Sequence, residues 1–157
     1  MNTREDFMRL AIQLSQEGME HNNGGPFGAV IIKNGKVIGQ GNNHVTSTND
    51  PTAHAEVVAI RDACKNLSTF DLNGAEIYCS CEPCPMCLAA IYWARISAIY
   101  YANTRKDAAY VGFDDDLIYT EIPKPVNERL IPAKPLLRDE AMKVFSAWLK
   151  KEDKTNY

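Results

Sequence analysis

A chain of 157 residues, 45% hydrophobic and 24% charged, has the length and balance of one ordinary soluble domain, which excludes a disordered segment, a collagen-like repeat and a disulfide-stapled miniature. Seventeen basic residues against twenty acidic ones leave a formal charge of −3, so no long-range attraction draws the chain toward nucleic acid or an anionic membrane. A small uncharged molecule suits that balance better.

Thr3 and Asp6 are spaced as a helix cap, and Phe7, Leu10, Ala11 and Leu14 follow at helical spacing, which predicts a first helix ending before Gly24-Gly25-Pro26. Two β-rich runs, 27–33 and 36–40, flank Asn34-Gly35 and predict a tight hairpin. Residues 29–32 are apolar throughout, so this strand is expected to be covered on both faces. Asp50-Pro51 reads as a capped start with proline in the first turn, opening a helix through His54, Glu56, Val57, Ile60 and Cys64. A strand at 76–79 leads into a helix from about Cys84 to Ala94, and a further strand spans 98–101. Helix, hairpin, helix, strand, helix, strand is an α/β order, and it predicts a mixed sheet between helix layers. Pro123, Pro125, Pro132 and Pro135 make the segment from Ile122 to Pro135 a stiff, extended connector. A last helix carries Ala141, Met142, Phe145, Trp148 and Leu149 as one apolar stripe, ahead of a charged tail.

Five cysteines are present, and Cys79, Cys81, Cys84 and Cys87 fall within nine residues while Cys64 stands apart. The start lacks an apolar signal-peptide core, and the apolar stretch 87–94 is too short to span a bilayer. The expected setting is therefore cytoplasmic and reducing, where clustered cysteines serve as metal ligands or redox groups more often than as disulfides.

His54, Cys84 and Cys87 fall at two separate helix starts, with the two cysteines at i and i+3 on one helix face. Imidazole and two thiolates suit Zn²⁺, and three protein ligands leave the fourth tetrahedral position open, as catalytic zinc sites do. Glu56, half a turn beyond His54, is poised beside that open face and is assigned proton transfer. Blander readings compete. Cys84-Pro85-Met86-Cys87 also fits a dithiol redox motif, and a closed structural zinc site would recruit Cys79 or Cys81 as fourth ligand. An iron–sulfur run is incomplete, because Ile91 stands where its last cysteine belongs. Cys64 reads as a small core residue, and His21 and His44 are left without a metal role.

His54-Ala55-Glu56 followed by Pro83-Cys84-Pro85-Met86-Cys87 reproduces the H-x-E…P-C-x-x-C signature of zinc deaminases. With Gly24-Gly25-Pro26-Phe27-Gly28-Ala29, Asn49-Asp50-Pro51-Thr52, Ile91-Tyr92-Trp93-Ala94-Arg95, Gly112-Phe113-Asp114-Asp115 and a terminal Tyr157, the chain resembles the cytidine-deaminase-like superfamily, and within it the bacterial guanine deaminases. The resemblance implies a three-layer α/β/α fold with a mixed sheet of about five strands, in a single domain spanning 1–157. It implies one Zn²⁺ per subunit on His54, Cys84 and Cys87, with Glu56 shuttling protons and Asp115 as a second carboxylate. Phe27 would pack on the purine, Asn43 would bond its edge, and backbone N–H groups near Ala55 and Cys84 would assist. Trp93 would wall the pocket and Tyr157 would cover it, the segment from about 136 to 157 being exchanged between the subunits of a homodimer. Which of Asp114 and Asp115 faces inward is left open by the residues themselves. The implied reaction is hydrolysis of guanine to xanthine and ammonia in purine breakdown or salvage. The alternatives are another base or nucleoside substrate, such as guanosine or adenosine in transfer RNA, and, behind these, a non-catalytic zinc or redox domain.

Overall fold

Thr3 accepts the Asp6 N–H at 3.3 Å while the Asp6 carboxylate accepts the Thr3 N–H at 2.8 Å, a reciprocal cap that starts helix α1 (Arg4–Glu20). The computed structural model describes residues 2–157, which divide into a unit ending at Asp115 and a second unit, Asp116–Tyr157. In the first unit, strands β1 (Gly28–Lys33), β2 (Lys36–Asn42), β3 (Glu76–Cys81) and β4 (Ala98–Asn103) form one sheet in the order β2-β1-β3-β4. β1 runs antiparallel to β2 and β3, and β4 runs parallel to β3, so the sheet is mixed. Asn34 and Gly35 turn the hairpin with φ of 52° and 73°, the left-handed conformations that Asn-Gly supplies. Helices α2 (Val45–Thr48) and α3 (Ala55–Leu67) connect β2 to β3, and α4 (Pro85–Trp93) connects β3 to β4.

Alternation splits the apolar run of β1 between two cores. Ala29 and Ile31, with Ile77 and Cys79 of β3, pack with Ala55, Ala59 and Ala63 of α3 and Ile91 of α4. Val30 and Ile32, with Tyr78, pack against Phe7 and Ala11 of α1. Both faces of the sheet are therefore covered, which is the layered α/β architecture that residues 29–32 lead one to expect. On the α1 side Tyr78 stacks on Tyr100 with ring centroids 4.8 Å apart and meets Phe7 at 5.5 Å.

The height of α3 above the sheet is set by missing side chains. Ala55, Ala59 and Ala63 recur every fourth residue along one helical face and are fully buried. Opposite them, a Cβ on Gly39 would lie 2.5 Å from the Ala59 carbonyl oxygen, and one on Gly41 would lie 2.8 Å from the Ala59 nitrogen. The first turn of α3 carries His54 and Glu56, so this seam also fixes where those side chains stand.

Two expectations are corrected, and one element is new. The described sheet has four strands, because Thr104 and Asp107 form a second reciprocal cap just beyond β4 and turn the chain into α5 (Arg105–Tyr110). The helix expected from Asp50 begins at Ala55: the Asp50 carboxylate accepts the Thr52 N–H at 2.8 Å in a turn, and His54 occupies the N-cap. The short helix α2 has no capping or periodic signal in the sequence and was not expected. The second unit contains α6 (Asp116–Glu121), one 3₁₀ turn at Val126–Glu128 and α7 (Arg138–Lys150), consistent with a proline-stiffened connector ahead of a final helix. No described residue of 116–157 is buried, and the apolar side chains of α7 are exposed.

The seam predicts that Gly41→Ala lowers stability by about 1–3 kcal/mol, the cost of overpacking a filled interface. Urea unfolding would show this as a lower midpoint at unchanged slope, and an unmoved midpoint would mean that α3 lifts freely.

Candidate active site

Two helix starts at one end of the sheet bring three donor atoms together. His54 is the N-cap of α3 in an extended conformation, φ −68° and ψ 155°. Cys84 is the N-cap of α4 with φ −66° and ψ 169°, and Pro85 follows at the first helical turn, where its fixed φ and missing N–H do no harm. Cys87 lies one turn on and is fully buried. The His54 Nδ1 is 3.5 Å from Cys84 Sγ and 3.4 Å from Cys87 Sγ, and the three donor atoms lie within 4.8 Å of one another. A tetrahedral zinc ion, with Zn–S near 2.3 Å and Zn–N near 2.0–2.1 Å, separates nitrogen from sulfur by about 3.5 Å. The donor set thus fits zinc in chemistry and in spacing.

Charge is distributed unevenly over this group. A hydrogen bond from Cys87, helped by His54, pulls the Cys84 thiol down to about 4, so it is the ready thiolate. The same bond to Cys84, reinforced by burial and by Glu56, raises Cys87. His54 is raised by its hydrogen bond to Cys84. Glu56, only 7% exposed, has its carboxyl raised by burial, and its Oε2 lies 3.3 Å from Cys87 Sγ. A buried carboxyl shifted upward beside an electrophilic centre is suited to carry a proton in either direction.

Cys79 and Cys81 stand outside the donor group. Burial, with Glu56 second, holds the Cys79 thiol well above its usual range and pushes Cys81 up to about 11. The Cys81 thiol donates to the Thr104 carbonyl at 3.6 Å. Neither is among the described donors that could close a four-ligand site around His54, Cys84 and Cys87.

Asn43 is 5% exposed just past the end of β2, and its backbone N–H bonds the Phe27 carbonyl at 3.1 Å. Its Oδ1 accepts the N–H of Gly25 at 3.3 Å and of Val45 at 3.0 Å. The carbonyl end of the amide is therefore turned into the protein backbone, which leaves the amide NH₂ as the end available to a ligand. Phe27 is half-buried, and its ring meets Phe113 edge to face at 4.9 Å. Ala55 is fully buried in the first turn of α3, where backbone N–H groups lack intrahelical partners. Asp115 is half-buried whereas Asp114 is exposed. Trp93 is 68% exposed at the far end of α4, about 9 Å along the axis from Cys87. Tyr157 ends the second unit, also largely exposed.

Two contributors escape sequence reasoning. Phe113 carries a turn signal and a family likeness but no hint that it reaches Phe27. Ser80, buried between two cysteines of β3, accepts the Gly28 N–H at 2.9 Å and so anchors the strand start next to Phe27; nothing in the local sequence marks it.

Comparison with known proteins agrees with this geometry. Residues 1–103 match the family model described as the cytidine and deoxycytidylate deaminase zinc-binding region. Over 153 residues the chain is 52% identical to the guanine deaminase of Bacillus subtilis, covering 98% of each. The X-ray structure of guanine deaminase from Bacillus subtilis superposes with a TM-score of 0.96 at 52% identity, covering 100% of this chain and 99% of that one. A tRNA-specific adenosine deaminase of Aquifex aeolicus is 32% identical over 149 residues, covering 94% of this chain and 95% of that one.

Replacing Cys87 by alanine is expected to weaken zinc retention by more than the roughly 10–100-fold that loss of a supporting hydrogen-bond partner costs. Chelator competition with elemental analysis measures it, with Cys64→Ala as the control that keeps its metal. Equal retention in the two variants would place the metal elsewhere.

Proposed function

Because the chain belongs to the cytidine and deoxycytidylate deaminase zinc-binding family, we propose that it hydrolyses guanine to xanthine and ammonia. The observation that carries this reading is the 52% identity to a guanine deaminase over 153 residues, well past the zinc-binding region, which ends at residue 103. Transfer-RNA adenosine deaminases are more distant, and a net charge of −3 gives an RNA little to bind.

In this reading His54, Cys84 and Cys87 hold one zinc ion per chain. When bound, the ion supplies Lewis acidity that makes water a competent nucleophile near neutral pH. Glu56 takes a proton from the attacking water on Oε2 as the new C–O bond forms at C2 of the base. That carboxyl passes the proton to the ring nitrogen, then takes the second proton from the new C2 hydroxyl and delivers it to the amino group, so that the C2–N bond breaks with loss of ammonia and the C2 carbonyl forms. Asn43 donates from its amide NH₂ to an acceptor on the base edge, and Phe27 packs on the ring face, braced by Phe113. The N–H groups near Ala55 and Cys84 bond the base or the incoming water. Asp115, the more buried acid of its pair, serves as the second carboxylate, accepting from a ring N–H or the leaving amine.

The active protein is proposed to be a homodimer in which residues from about 136 to 157 cross to the second copy. The exposed apolar stripe of α7, the stiff connector before it and the exposed Tyr92 and Trp93 of α4 support this, since each is a surface that a second copy would cover. Trp93 then walls the pocket and Tyr157 covers it. Five free thiols fit a cytoplasmic setting, and no described helix is long and apolar enough to cross a membrane.

Two outcomes follow. Glu56→Gln is expected to keep zinc while ammonia release from guanine falls by about 10²–10⁴-fold; turnover at the wild-type rate would remove Glu56 from the proton path. Light scattering is expected to give twice the chain mass for the full protein and the single-chain mass after removal of residues 136–157. A full-length monomer with full activity would contradict the exchange.

A further inference from the structure

The amide of Asn43 can face a ligand in only one sense, and the reason lies in a residue that the mechanism does not use. Both backbone N–H groups that reach it, from Gly25 and Val45, bond the same oxygen. That oxygen is seated directly against Gly24: a Cβ built there would lie 2.1 Å from Asn43 Oδ1, and 2.8 Å from the Asn43 carbonyl oxygen. Gly24 is not among the residues with positive φ, so no left-handed backbone calls for glycine there, and what opposes a side chain is space. The neighbouring Gly25 is confined in the same way, since its Cβ would sit 3.0 Å from the rings of both Phe27 and Phe113. The Gly24-Gly25 pair is thus packed between the group that bonds the base edge and the group that covers its face.

We propose that Gly24 is a positioning residue that locks the polarity of the Asn43 amide, so that the site accepts only bases presenting a hydrogen-bond acceptor to the Asn43 NH₂. A base that lacks the acceptor leaves a buried donor unpaired, and sites of that kind reject such ligands strongly. An alanine at 24 drives Oδ1 away from the two N–H groups. The amide is then no longer held, and the selectivity it enforces relaxes. This inference rests on the guanine reading above.

The test uses zinc-loaded wild-type protein, Gly24→Ala, Asn43→Ser and the double variant. Each is assayed on guanine and on two analogues that weaken or remove one acceptor while keeping N1–H and the reacting C2=N3 bond: 6-thioguanine for the C6 oxygen and 7-deazaguanine for N7. Wild type is expected to discriminate against one analogue far more than the other, and discrimination against neither overturns the proposal. Gly24→Ala is expected to narrow that one kcat/KM ratio by roughly tenfold while leaving the other ratio in place. In the Asn43→Ser background, where the opposing oxygen is drawn back, adding Gly24→Ala is expected to change the ratio no further. The proposal is overturned if Gly24→Ala lowers all three substrates by one common factor, or if the double variant narrows the ratio beyond Asn43→Ser. Should Gly24→Ala alone fail to fold, the double variant decides: folding like Asn43→Ser supports a clash with the Asn43 side chain, and failure to fold overturns it. Absence of ammonia release from guanine by wild type would instead defeat the functional reading itself, which keeps the two failures apart.

Discussion

A nitrogen, two sulfurs and a carboxylate are held in contacts of 3.3–3.5 Å within a largely buried space, and the rest of the first unit is arranged around that crowding. In their deprotonated forms the two thiols and Glu56 repel one another, and burial sharpens the repulsion by removing the water that would screen it. The protons redistribute accordingly: Cys84 is drawn down to about 4 while Cys87 and Glu56 are pushed up. A dication among the donors reverses this logic, since it favours both thiolates at once and offsets the charge that the carboxyl takes on when it gives up its proton. The donor atoms therefore stand where a bound metal ion would relieve the crowding.

Nothing local holds these groups together. His54 is 30 residues from Cys84 and 33 from Cys87, so their approach depends on the sheet that spaces α3 and α4. Two features supply the needed accuracy. Glycines of β2 let α3 settle onto the strand against Ala59, Ala63 and Val58, and His54 and Cys84 each stand as an extended N-cap whose side chain makes no bond to its own helix start. The proposed base-binding groups stand at the same end of the sheet. Asn43 leaves the end of β2 and Phe27 precedes β1, and the two are joined by a backbone hydrogen bond of 3.1 Å. Candidate metal donors and proposed base-binding groups thus share one frame, as a reaction at a single carbon of a flat ring would require.

What the sequence made legible follows the range of the interaction behind it. The Thr3–Asp6 cap, the Asn34-Gly35 turn, the proline-stiffened connector and the apolar run 29–32 are set by neighbours a few residues apart, and each is found as read. The grouping of His54, Cys84 and Cys87, whose donor atoms lie within 4.8 Å of one another, was legible although the residues are distant, because few residue types can supply such donors. Where two local devices look alike, tertiary context decided: Asp50 could cap a helix or close a turn, and it closes the turn because His54 must be free of the helix to reach the cysteines. The fourth-strand edge and α5 turned on the cap at Thr104, which resembles the one at Thr3 but follows a strand. Ser80 on Gly28, Phe113 on Phe27 and the two N–H groups on Asn43 were illegible, since each joins segments whose adjacency exists only once the sheet has formed.

Three protein atoms, one nitrogen and two sulfurs, are proposed to hold a metal and leave one position open for chemistry. X-ray absorption at the zinc edge of the loaded protein reads this ligand set directly. Two sulfur scatterers at about 2.3 Å and two nitrogen or oxygen scatterers at about 2.0–2.1 Å are expected, with one of the lighter pair exchanged on adding a purine ligand. Three or four sulfurs, which would mean that Cys79 or Cys81 closes the site, would contradict it.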